Sequence, residues 1–350
     1  MHPVETYLAE LRDSVLSKGV AETSGYTGLA NLINEVGRGL KPEVKAVIHP
    51  RGSTLEGIPD GAFFTKDEFR DETDSSLLMR LQFDESRRPK RGYLEVKSVA
   101  EDLEKTIQSP QVRKYLDAVP YLVVTNYWDF RLLSLVDGQL IEGERFTLAP
   151  DEGAFREAIR KPRNLAKDQG ARFLDFLQRA LIHEAPLDAP KDLAWYLASY
   201  AREALARIEL HADAAHLEQL RKSMEEALGI SFRDAEGEHF FRSSLVQTLF
   251  YGLFAAWVLW CQAPKRREGD VFRWQEGIDH LHVPAISAIY HQIQDRAKLR
   301  ALDLVPVLEW TAQVLNRMNR EAFFKKFRQD HAVQYFYEPF LQAFDPDLRK

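Results

Sequence analysis

The chain of 350 residues contains one cysteine, Cys261. That excludes a disulfide framework and Cys-based zinc motifs, and it fits a reducing, cytoplasmic setting. The N-terminus, Met1-His2-Pro3-Val4-Glu5, has neither a basic start nor an apolar core and does not read as a signal peptide. There is no GxxxxGK(S/T) phosphate loop, no GxSxG elbow and no HExxH helix, so no P-loop motor, hydrolase elbow or zinc-protease helix is visible. Positive charge is scarce: 47 Lys and Arg against 53 Asp and Glu leave a formal net charge of −6. Such a chain binds nucleic acid weakly through backbone neutralisation alone. Long apolar runs are also rare. The exception, Leu245–Cys261, is broken only by Gln247 and Thr248 and sits at the lower length limit of a membrane span. Its aromatics run along its whole length instead of forming two end belts. A buried central helix is therefore expected, with no membrane partner.

The remaining composition, 45% hydrophobic and 29% charged, is that of a soluble globular protein, and the length suggests two domains. Basic residues gather at Arg87-Arg88-Pro89-Lys90-Arg91, at Arg160-Lys161-Pro162-Arg163 with Lys167, and at Lys265-Arg266-Arg267. The first cluster is expected either to touch phosphates or to be a solvated hairpin tip.

Hydrophobic spacing divides the chain. Val4, Tyr7, Leu8, Leu11, Val15 and Leu16 predict a helix over 4–18, and Leu29, Leu32, Ile33 and Val36 a second over 27–38. Strands are expected at Glu43–His49, around Pro59-Asp60, at Tyr93–Lys97, at the apolar run Tyr121–Thr125, and at Phe130–Val136, with a helix over Pro110–Ala118. The stretch 151–167 is polar and basic and reads as a linker after a first domain of residues 1–150. Beyond it the pattern is helical: a stripe through Phe173, Phe176, Leu177, Ala180 and Leu181, a helix over Leu193–Leu210, and another over His216–Leu228 ended by Gly229. A helical domain over 168–330 is expected, with a closing segment at 331–350.

One constellation carries chemistry. Side chains alternate along a strand, so in Glu95-Val96-Lys97 the acid and the amine share one face while Val96 turns to the other. If Asp60 arrives from the neighbouring strand, two carboxylates and the Val96 carbonyl make an oxygen-rich pocket suited to a hard cation such as Mg²⁺. Lys97 would then orient or activate water, the chemistry of metal-assisted phosphodiester hydrolysis. Taken alone, an ExK triplet is commonly a surface salt pair. Gln111 and Tyr115 stand at i and i+4 on the helix that follows and share a face. Alone, they read as a solvated Gln beside a packed Tyr.

The Pro59-Asp60…Glu95-x-Lys97 pattern resembles the PD-(D/E)xK nuclease superfamily, whose restriction-endonuclease-like αβββαβ core with a mixed sheet fits the element order above. Gln111-Val112-Arg113-Lys114-Tyr115, QxxxY, resembles its RecB-like branch and implies that Gln111 and Tyr115 support the site. Glu22-Thr23-Ser24 before a helix resembles the N-terminal signature that adds a further carboxylate, although Tyr26 stands near where relatives often carry Arg. Glu35, inside the helix, is the alternative acid. The segments from Pro120 to Leu132, from Gln247 to Ala256, from Ala332 to Leu341 and from Asp345 to Arg349 resemble single-chain restriction-modification enzymes, type IIG and type ISP. Relatives tend to carry Asp where Asn126 stands here, and Asn126 is assigned no catalytic role. No Asn-Pro-Pro-Tyr-type motif or Gly-rich methyl-donor loop is present.

The resemblance implies the nuclease portion of a type IIG-like, site-specific deoxyribonuclease for phage defence, followed by an α-helical connector. It implies Mg²⁺, with Mn²⁺ able to substitute, held by Asp60, Glu95 and Val96. The expected site is Asp60, Glu95, Lys97, Glu22, Gln111 and Tyr115. Expected partners are double-stranded DNA, methyltransferase and target-recognition domains in cis or in trans, and a transient second copy for double-strand cutting. The alternative is a catalytically silent coupling module docking on an adenine methyltransferase, with exposed apolar surface near Phe336, Tyr337 and Phe340. Two further groups are set aside: Asp279-His280-Leu281-His282, whose His pair shares no helical face, and His49 before Pro50, read as a turn residue.

Overall fold

Val4, Leu8, Leu11 and Val15 form the buried stripe of α1 (Pro3–Leu16). Leu29, Leu32, Ile33 and Val36 do the same in α2 (Tyr26–Arg38), which follows a 3₁₀ turn at Glu22–Gly25. The strands β1 (Val44–Ile48), β2 (Gly61–Thr65) and β3 (Gly92–Val96) come next. Two short helices follow, α3 (Leu103–Ile107) and α4 (Pro110–Leu116), capped by the Asp102 and Ser109 side chains, which accept from the Glu104 and Val112 amides. The strands β4 (Tyr121–Thr125), β5 (Asp129–Val136) and β6 (Gln139–Thr147) precede α5 (Glu152–Ala158) and α6 (Pro162–Leu181). This computed structural model describes residues 2–16, 22–50, 58–68, 89–183, 185–211, 215–264, 267, 269–280, 296–327 and 336–345.

These elements build the first of two units, Met1–Ala185. Its six strands lie in chain order, β1-β2-β3-β4-β5-β6. Only the β3–β4 pair is parallel, as required where α3 and α4 carry the chain back across the sheet; the other pairs are antiparallel. One face packs Phe63, Leu94, Val96, Val123 and Phe130 against α1, α2 and α6. The other packs Ala62, Phe64, Tyr93, Leu122 and Val124 against α3 and α4. At the β1 edge, the Asn34 side chain accepts from the Ala46 amide at 2.8 Å and donates to its carbonyl at 3.3 Å, standing in for a strand partner.

Between β2 and β3 the chain runs through residues 66–91, and Glu68 closes the base of this connection. Its carboxylate accepts from the Thr65 amide and hydroxyl at 2.6 and 2.8 Å and from the Lys90 amide at 3.0 Å. Further along the sheet, Asp129 and Arg131, each 4% exposed, pair along β5 through bonds of 2.9 to 3.1 Å. Arg131 also donates to Glu142 and Glu104, and Arg145 donates to Asp129.

The mixed sheet followed by a helical unit agrees with the expected α/β-then-α architecture. The expected linker at 151–167 is instead α5 and the start of α6, because Phe155, Ile159, Leu165 and Ala166 recur among the polar residues and are buried. The first unit accordingly reaches Ala185, well past residue 150, since Phe173, Phe176 and Leu177 of α6 cover its sheet. The strand β6 was not expected.

The second unit, Pro186–Lys350, is helical: α7 (Pro190–Leu210), α8 (Ala215–Leu228), α9 (Asp234–Gln262), α10 (Arg296–Ala301), α11 (Val305–Arg317), α12 (Arg320–Lys326) and α13 (Glu338–Phe344), with a 3₁₀ stretch at Trp274–His280. Among the described residues, α9 alone is long and apolar enough to cross a membrane by length and composition. Leu245, Val246, Leu249, Leu253, Phe254 and Trp257 are nevertheless buried, which makes it the central helix of this unit. Phe336 and Phe340, expected on an exposed surface, are fully buried: Phe336 stacks on Phe254 with centroids 3.5 Å apart, and Phe340 lies 5.1 Å from Tyr251. The covering partner is the unit's own α9. The pair Leu281-His282 lies outside the described residues, as do the Asp279 and His280 side chains.

Candidate metal and active site

Gly61 pairs with Leu94, so Asp60, one residue before β2, comes level with Glu95 of β3. Asp60 is held from both sides: its carbonyl accepts from the His49 amide at 2.8 Å, and its Oδ2 accepts from the Val96 amide at 2.8 Å. Tyr93 faces α3 and α4, and by strand alternation Glu95 and Lys97 face the same way. The Lys97 Nζ donates to Glu95 Oε1 at 2.8 Å, with side chains 19% and 3% exposed. Coulomb attraction in so dry a position far exceeds that of a surface pair. Val96 points into the opposite core.

The helix α4 supplies the remaining groups. Gln111 Nε2 donates to Glu95 Oε1 at 3.3 Å and to the Tyr115 hydroxyl at 2.8 Å. The Tyr115 ring packs edge-on against Tyr93 at 5.7 Å. Asp60, Glu95, Lys97, Gln111 and Tyr115 therefore converge on one face of the sheet. Burial pushes the Tyr115 phenol up to about 12; the Gln111 hydrogen bond opposes this, the Glu95 and Asp60 charges add to it, and Lys97 opposes it. The neutral phenol's contribution to stability is thus complete below the ordinary value of 10.0 and is lost as pH rises toward about 12. Unfolding midpoints recorded across that alkaline window should fall in the parent, and Tyr115→Phe should remove this part of the decline. An equal decline in both proteins would contradict the assignment.

Asp60, Glu95 and the Val96 carbonyl would make an all-oxygen donor set. Such a set fits Mg²⁺, which takes one or two carboxylates and keeps water for the rest. Among the described residues no group of three or more His, Cys, Asp or Glu is placed to hold a metal, so an ion would rest on this pair and the carbonyl. Glu22 belongs to the 3₁₀ turn before α2, and its side chain lies outside the described residues. Glu35 is exposed on α2. His49 is a turn residue with φ 49, its ring 5.1 Å from Tyr26.

The described part of the first basic cluster is not beside the acids. Lys90 and Arg91 precede β3 at its far end, roughly 15 Å along the strand from Glu95. Lys90 bonds Asp67 at 2.5 Å and Arg91 is buried. Arg87 and Arg88 lie outside the described residues. Sequence reasoning missed the groups that brace the site, Asn126 and Trp128. Asn126 accepts from the Asp129 amide at 3.0 Å and donates to the Glu101 carbonyl at 2.9 Å, while Trp128 donates to the Val99 carbonyl at 3.0 Å. The Asn within a short strand-to-strand connection was the available signal.

No family model matches the chain. No curated protein matches it either. Among solved structures it is similar to a chain of the cryo-EM structure of a DrdV–DNA complex, at 16% identity and a TM-score of 0.30, over 98% of this chain and 29% of that one. This chain thus spans less than a third of that neighbour's length. At that level the likeness carries no argument about function.

Proposed function

We propose that the first unit is a Mg²⁺-dependent DNA endonuclease module of a restriction-modification enzyme. The observation that supports this reading is the convergence of Asp60, Glu95 and Lys97, at the adjoining ends of two paired strands, with Gln111 and Tyr115 of the covering helix. Asp60, Glu95 and the Val96 carbonyl would hold the ion. When bound, it would lower the pKa of water and stabilise charge on a phosphoryl oxygen. Lys97 supplies a cation beside the carboxylates and three donors with which to orient the attacking water. Glu95 Oε1 fixes where that amine stands, and Gln111 fixes Glu95. Double-stranded DNA is the proposed substrate. Target recognition and methylation would come from other domains, in cis or in trans.

The test is conversion of supercoiled plasmid by the whole chain with Mg²⁺, with Mn²⁺ binding followed by calorimetry. Metal-dependent nicking that leaves 5′-phosphates is the expected result. Absence of both cutting and Mn²⁺ binding would sink the proposal and leave the coupling module as the better account.

A further inference from the structure

We infer that the β4–β5 turn is the mount that holds Lys97 in place, with Asn126 and Trp128 as positioning residues; its catalytic meaning rests on the nuclease reading above. Lys97 is the first residue beyond β3, and its amide donates to the Thr125 carbonyl, at the end of β4, at 2.7 Å. The chain then leaves the sheet in a turn closed by the Glu101 amide on the Ser98 carbonyl at 2.9 Å. Two carbonyls of this departing segment are held from the β4–β5 turn. Trp128 Nε1 donates to Val99 at 3.0 Å, and Asn126 Nδ2 donates to Glu101 at 2.9 Å. The Lys97 backbone is therefore anchored at its own amide and again just downstream, which sets where its side chain leaves the strand to reach Glu95 at 2.8 Å.

The turn is built for more than reversing the chain. Tyr127 sits at φ 76, a region that a bulky residue occupies only when its surroundings demand it. Those surroundings are specific. The Tyr127 amide donates to Thr125 Oγ1 at 2.9 Å, and its carbonyl accepts from the Tyr7 hydroxyl at 2.8 Å. Its ring fills the space that Gly25 leaves open: a Cβ there would stand 2.4 Å from Tyr127 Cε1. Gly25 closes the 3₁₀ turn that carries Glu22, so one buried tyrosine braces two segments that bear candidate site residues. Strain of this kind, held by several groups beside a site, marks a device for holding geometry.

The experiment uses the whole chain with Trp128→Phe, which keeps an aromatic ring and removes the N–H, and Asn126→Ala. The first readout does not need activity: the NMR signal of ¹³C-methylated Lys97, assigned with Lys97→Arg, together with amide exchange at residues 97–101. Trp128→Phe should shift that signal and speed exchange in this segment beyond any change at the other amides of the sheet. The second readout is a split. Turnover on plasmid should fall on the order of 10- to 100-fold, as for a small misplacement of a reacting group, while the Mn²⁺ dissociation constant stays within about twofold of the parent, below the effect of disturbing a ligand's support. An unmoved Lys97 signal overturns the inference, as does Mn²⁺ affinity falling in step with turnover. If the parent neither cuts nor binds Mn²⁺ but the Lys97 signal moves, the mount stands and the nuclease reading falls.

Discussion

Lys97→Ala should stop cutting while sparing divalent-ion binding, and Asp60→Ala should stop both. The two differ because an amine cannot be a ligand of a hard cation in its charged form, whereas a carboxylate can. Removing Lys97 leaves Asp60 on the Val96 amide and Glu95 beside Gln111, so the oxygen donors keep their places. It also removes a positive charge bonded to Glu95 Oε1 at 2.8 Å, so ion affinity should hold or rise. The loss is then confined to turnover, on the order of 10²- to 10⁴-fold, as for deleting a group that handles the proton or the water. Asp60→Ala takes away a donor and also the acceptor that fixes the Val96 amide, and with it the aim of the neighbouring carbonyl. Mn²⁺ affinity should fall by at least on the order of 100-fold. Calorimetric Mn²⁺ titration beside a plasmid-nicking assay reads both. Cutting by Lys97→Ala at the parental rate, or parental Mn²⁺ binding by Asp60→Ala, would end the assignment.

The second large effect is on folding. Asp129→Ala should destabilise the first unit by about 3 kcal/mol, because it strips the partner from Nε and one terminal nitrogen of a buried guanidinium while Glu142 and Glu104 still hold the other. Arg131 is 4% exposed and meets Asp129 through both Nε and a terminal nitrogen. Burial by itself would lower the Arg131 pKa, but the Asp129 hydrogen bonds and charge, followed by those of Glu142, outweigh it and hold the group far above its ordinary value. Arg145→Ala is the control. Arg145 also bonds Asp129, at 3.0 Å, but its side chain is 47% exposed, and exposed pairs contribute about 1 kcal/mol or less. Denaturant unfolding of the three proteins should separate the two changes by several-fold. Equal effects would mean that water, and not Asp129, satisfies Arg131.

Local pattern made much of this legible. Alternation alone put Glu95 and Lys97 on one face and Val96 on the other. The i, i+4 spacing put Gln111 beside Tyr115. The apolar run 121–125 is a strand buried along its whole length. Other features needed partners distant in sequence. Helix α5 and the start of α6 carry so many charges between Phe155, Ile159, Leu165 and Ala166 that this part of the stripe was hidden until the sheet gave it something to cover. The β5–β6 hairpin had its own signal: Asp137 and Gly138 at φ 49 and 75 form the two-residue turn that joins antiparallel strands. Phe336 and Phe340 show the limit of composition, since an aromatic cluster reads the same whether its cover is another protein or a helix of the same chain.

The Glu68 clasp sets how this sheet can vary. Neighbouring antiparallel strands can be joined by as few as two residues, yet β2 and β3 are separated by residues 66–91, and Glu68 ties the two ends of that detour together through Thr65 and Lys90. Whatever is threaded between residues 68 and 90 leaves and re-enters through the same fixed gate. That gate stands at the end of the strands opposite Asp60 and Glu95. Thr65 and Lys90 are thereby tied to each other through Glu68 whatever sequence joins them. A change of sequence between residues 68 and 90 is accordingly expected to leave the pairing of Asp60 with Glu95 in place.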